Sequence, residues 1–149
     1  MSTTTASVDV NQPIEMVYNQ WTQFESFPHF MGGVEEVIQV DDVTNHWVTN
    51  IAGVSREFDT RITEQLPDER IAWRSIGGDV DQAGVVTFHR LEPAKTRVMI
   101  QIDWAPSGAT EKAGAALGID DRQVKADAKR FKEFIESRGD ATGGWREQV

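Results

Sequence analysis

Cysteine is absent from the 149 residues, which removes disulfides, thiol nucleophiles and thiolate metal sites together. Positive charge is scarce, with 15 Lys and Arg against 24 Asp and Glu and a formal net charge of −9. Such a field repels phosphate backbones and anionic membrane surfaces, so no nucleic-acid partner is expected. No apolar run approaches the ~18 residues that cross a bilayer, and integral membrane association is not expected. The first residues, MSTTTASVDV, carry neither a basic patch nor an apolar core, so no signal peptide is expected and the cytoplasm is the default location. Stability must come from packing, and the length suits one domain.

Clear turn chemistry and alternation fill the space between. Residues 4–10 are rich in β-branched side chains and predict a first strand. Asn11 is the expected helix N-cap with Pro13 just inside. Ile14, Val17, Tyr18 and Trp21 then share one helical face. Phe24, Phe27, Phe30 and Met31 extend the apolar spacing through Pro28, which predicts a short second helix kinked or restarted there and ended by Gly32-Gly33. Six strands follow: Val34–Val40, Asn45–Ile51, Ser55–Gln65, Arg70–Ile76, Gln82–Leu91 and Thr96–Trp104. Their connections are too short for parallel crossovers, so the sheet is antiparallel.

Successive strand side chains point to opposite faces, and parity therefore assigns an interior. Val98, Ile100, Ile102 and Trp104 face inward, as do Trp47, Thr49 and Ile51, then Phe58, Thr60 and Ile62, then Ile71, Trp73 and Ser75, and Val86 with Phe88. Glu57, Asp59, Arg61, Arg74, Thr87 and His89 face outward. The stretch 107–118 reads as a short helix or an ordered loop. Asp120 is the expected cap of a long helix whose stripe is Val124, Ala128, Phe131, Phe134 and Ile135, ended by Gly139. Residues 1–138 form the expected single domain and 139–149 a flexible C-terminal tail.

This order, strand, two helices, six strands and a closing helix, resembles the helix-grip or START-like (SRPBCC) superfamily. Its polyketide cyclase/dehydrase-like branch, similar to coenzyme Q-binding proteins, is the nearest likeness. The residues that carry it are Ser7 to Val10 with Pro13 and Val17-Tyr18, the aromatic segment Trp21 to Met31, Arg70 to Ser75, Gly84 to Phe88, and Phe131 to Glu136. The resemblance implies an α+β fold in which a seven-stranded curved antiparallel sheet wraps a long C-terminal helix. It also implies an apolar cavity between them, which relatives use for lipid or quinone carriage, polyketide cyclisation, hormone sensing or chaperone regulation. It brings no catalytic motif.

Three histidines on separate elements, without ligand spacing, give no reason to expect a metal, and no Gly-rich phosphate cradle or nucleophile elbow points to a cofactor or a catalytic serine. Glu57 and Asp59 share an outward strand face with Arg61, which predicts a cross-strand charge pair. The Trp residues either fill the interior or wall a void. The candidate ligand-binding set is Tyr18, Trp47, Thr49, Arg56, Phe58, Thr60, Trp73, Ser75, Val86, Phe88, Ile100 and Phe131. Thr49, Thr60, Ser75, Tyr18 and Arg56 are its polar anchors, with Arg56 either at the cavity mouth or reaching into solvent. Three functions fit: binding of a hydrophobic small molecule, a polyketide cyclase or dehydratase in which the pocket enforces substrate geometry, or a regulatory protein-interaction module.

Overall fold

Alternating residues assemble into one antiparallel sheet: β1 (Ser2–Val10), β2 (Val34–Gln39), β3 (Thr44–Ile51), β4 (Val54–Leu66), β5 (Arg70–Gly78), β6 (Val80–Glu92) and β7 (Lys95–Pro106). The computed structural model describes residues 2–51, 53–106 and 121–149. Strand order is β1-β7-β6-β5-β4-β3-β2. Only β1 is out of sequence order, because the chain between β1 and β2 crosses the concave side as α1 (Ile14–Trp21) and a 3₁₀ helix (Phe24–His29). The final helix, α2 (Asp121–Arg138), lies against β1 and β7. This is the α+β helix-grip arrangement.

Local chemistry explains the boundaries. Pro13, not Asn11, occupies the cap position of α1, and its carbonyl accepts from the N–H groups of Met16 and Val17. The backbone N–H of Asn11 is instead taken by Glu136 of α2, at 2.7 Å. Gly139 ends α2 with φ of 73° and donates its N–H to the Ile135 carbonyl, the left-handed conformation that glycine adopts without penalty. The stretch 107–118 and the Asp120 cap lie outside the described residues.

The inward parity holds at the positions it assigned on β3 to β7: Trp47, Thr49, Ile51, Phe58, Thr60, Ile62, Ile71, Trp73, Val86, Phe88, Val98, Ile100, Ile102 and Trp104 are buried, and Ser75 is half-buried. On the outer face Glu57 and Asp59 meet His46 of β3, not Arg61, at 3.0 and 2.7 Å. The register explains it, since His46 is paired directly with Asp59.

Aromatic rings fill the concave side. Trp47 stacks between Phe58 and Trp73 with centroids 5.6 and 6.0 Å away, and Phe24 and Phe27 meet it from below. Trp21, Phe30 and Phe131 form a second cluster that ties the first helix to α2. Edge and offset contacts of this kind contribute about 0.5–1.5 kcal/mol per pair beyond area burial.

The last eleven residues, expected as a flexible tail, run back over the end of α1 and β4. Gln20 is fully buried and holds Thr142 through both amide atoms. Gln65, also fully buried, donates to the carbonyls of Trp145 and Glu147, and its backbone pairs with Val149. Arg146 reaches Asn19 and Asp68 and lies 5.3 Å over the Tyr18 ring.

Candidate functional site

The inner row of β3 runs Asn45, Trp47, Thr49, Ile51, and the Trp47 end of the aromatic cluster divides the concave side into two clefts. The apolar one lies toward Thr49 and Ile51, beneath the first turns of α2. Trp47, Trp73, Ile100 and Ile102 form its floor, Met31, Val34 and Ile51 one side, and Val124 its roof. Gln82, Gln123 and Asp127 add polar groups at its edge. The recess encloses about 480 Å³ when space open to solvent is included, but the enclosed void is about 20 Å³, room for about one water.

That small void corrects the expected hollow between sheet and helix. Two hydrogen bonds explain why the indoles fill the space. Trp47 Nε1 donates to Thr60 Oγ1 at 2.7 Å, and Trp73 Nε1 donates to Gln82 Oε1 at 3.0 Å. Both polar ring atoms are thereby satisfied inside, which lets whole Trp side chains lie flat in the core.

Of the twelve candidate residues, Trp47, Thr49, Trp73 and Ile100 line the recess. Phe58, Thr60 and Val86 lie buried on the same inner face without lining it. Phe88 meets Tyr18 edge-on at 5.3 Å, and Phe131 is spent on Trp21 and Phe30. The expected polar anchors are largely committed elsewhere. Thr60 is taken by Trp47, Thr49 Oγ1 donates to the Arg56 carbonyl, and Ser75 Oγ accepts from the Gln82 N–H. Burial pushes the Tyr18 hydroxyl up to about 12, so it stays protonated at neutral pH and is no ready general base. Arg56 neither reaches solvent nor lines the mouth: it is 2% exposed, beside Thr49 in the register.

Asp127 is one of the recess-lining residues that parity on the strands did not reach. Its Oδ1 accepts from the Gly32 N–H at 3.0 Å, from Gln123 at 2.9 Å and from Arg130. Arg130 Nε also donates to the Phe30 carbonyl. This cluster latches the roof helix to the loop before β2. Burial raises the Asp127 carboxyl above its usual range, against the pull of those donors. The helical spacing carried the signal, because position 127 falls three residues after Val124 and four before Phe131.

A curved antiparallel sheet gripping one long helix, with an apolar recess at one end of the grip, is a START-like fold. The sequence profile of the family described as polyketide cyclase / dehydrase and lipid transport matches residues 10–133, and the chain belongs to that family. It is 56% identical over 149 residues, all of this chain and 99% of the other, to an uncharacterised 17.2 kDa protein from the melC2-rnhH intergenic region of Streptomyces lincolnensis. A START superfamily protein from Mycobacterium smegmatis has the same fold, with TM-score 0.74 and 17% identity, over 91% of this chain and 98% of that one. So does the Zhui aromatase/cyclase from Streptomyces sp. R1128, with TM-score 0.71 and 17% identity over 97% and 99%. Family and fold together point to a hydrophobic-ligand-binding or polyketide cyclase-type protein.

Proposed function

We propose that this protein binds and carries a hydrophobic small molecule, of lipid, quinone or aromatic polyketide chemistry, in the recess under the first turns of α2. The observation that supports it is the wall: indole and aliphatic side chains on floor, side and roof, with polar groups confined to Gln82, Thr49 and the Gln123–Asp127 edge. Apolar walls with few placed polar groups are the usual composition of small-molecule sites. Because the enclosed void holds about one water, a guest enters by displacing Met31 and the roof, and the Asp127 latch to Gly32 is the contact that yields. Native mass spectrometry of gently purified protein, followed by displacement of an apolar dye with a fatty acid and a short-chain quinone, tests this. Dye displacement that is lost in Ile102→Trp, which plugs the floor, is the expected result. A protein that stays empty and binds no dye contradicts it.

A second reading, a cyclase or dehydratase, draws on the burial of Arg56 beside the recess residue Thr49. Once a guest has opened the recess past Thr49, the buried Arg56 guanidinium would polarise a substrate carbonyl while the walls hold the chain folded. Turnover of a model poly-β-ketone that Arg56→Ala abolishes with folding retained supports it. Turnover absent, or indifferent to Arg56, counts against it.

A further inference from the structure

The second cleft on the concave side lies at the opposite end of β3, beyond the Trp47 and Phe24 rings, and its chemistry is the reverse of the first. It measures about 200 Å³, on the order of six waters at bulk density, enough for a small organic molecule. Asn45 lines it and is 2% exposed, yet its Oδ1 is buried without a hydrogen-bond partner. A buried amide left unsatisfied is costly, and such groups are rare in folded proteins unless something else completes them. The Asp42 carboxylate and the Gln39 amide stand in the same wall, closed on the apolar side by Phe24 and Ile62 and by Trp145 of the C-terminal strap.

We infer that this cleft is a second ligand site, for a small organic cation bearing N–H donors, an amidine, guanidine or primary amine. Three features converge on that chemistry. The available groups include an unpartnered amide oxygen and a carboxylate, and among the described residues no Lys, Arg or His lines the cleft, so positive charge is what it lacks and the Asn45 oxygen is what a donor would complete. Phe24 and Trp145 put aromatic rings in the wall, and aromatic rings attract cations. The net charge of −9 raises the local concentration of cations around the whole molecule. The strap makes the site, since Trp145 is fixed by its backbone N–H to Thr22 Oγ1 at 3.0 Å and its carbonyl to Gln65 at 2.8 Å.

The test titrates the full chain with benzamidine and with its neutral counterpart benzamide, following Trp145 fluorescence and the Asn45 side-chain amide signals by NMR. Benzamidine should shift both signals, benzamide should bind at least about tenfold more weakly, and Asp42→Asn should weaken benzamidine by a similar factor. Asn45→Leu should abolish binding, and Trp145→Ala supplies an independent loss should the first variant fold poorly. Equal binding of both probes overturns the cationic assignment. Signals that stay still for both, or binding unchanged in Asp42→Asn and Trp145→Ala, overturn the site.

Discussion

His46 sits on the outer face of β3 with a carboxylate on each ring nitrogen, Glu57 on Nε2 and Asp59 on Nδ1. The hydrogen bond to Glu57, then that to Asp59, raises its pKa above 6.5. A histidine held protonated by the fold stabilises it fully below the unfolded pKa, and the contribution fades as pH rises through the raised folded value. His46→Gln should therefore lower the urea midpoint at about pH 5.5 and scarcely change it at about pH 9; equal losses at both would show that the imidazolium is not the stabilising form. Gly84 is the other informative single position. It is paired with Trp73 across β5 and β6, and a Cβ there would run into the Trp73 indole. Gly84→Ala should cost about 1–3 kcal/mol by overpacking and disturb the recess floor, visible as a lower denaturation midpoint with altered near-UV dichroism. An unchanged near-UV spectrum would mean that the indole had room to spare.

At the scale of elements, the strap and the bulges are where sequence and structure part. Strand parity read from the chain places Phe58, Thr60 and Ile62 inward and is right for all three. Strict alternation would then carry Glu64 in, but a register shift between Ile62 and Glu64 turns Gln65 into the core instead. A bulge adds one residue without any distinctive side chain to announce it. The strap was hidden for a related reason. Residues 139–149 have no hydrophobic period, and they are held mainly by polar partners, the buried amides of Gln20 and Gln65 among them. Truncation after Arg138 would leave those amides without partners, so the loss should be about 2–5 kcal/mol, read as a drop in urea midpoint. An unchanged midpoint would show that water replaces the strap at no cost. The α2 stripe, by contrast, was plain from spacing, and Phe131→Ala should cost about 3–5 kcal/mol because the ring is fully enclosed by Trp21 and Phe30.

For the whole molecule, the fold was legible because seven alternating strands and one helical stripe leave few ways to bury their faces. The site was legible only in part. Parity tells which side chains point inward, but it does not tell which of them a void touches, and that depended on indole hydrogen bonds to Thr60 and Gln82. The concave side is thus a plugged channel with an apolar recess at one end and a polar cleft at the other. The central claim is that an apolar guest lodges beneath the first turns of α2. Methyl-selective NMR of the Ile and Val side chains during titration with a short-chain quinone and a fatty acid tests it most directly. The account predicts shifts concentrated at Val34, Ile51, Ile100, Ile102 and Val124, with the outer-face methyls of Ile38 and Ile76 unmoved; saturation with no shift at the recess, or shifts centred on the outer face, would contradict it.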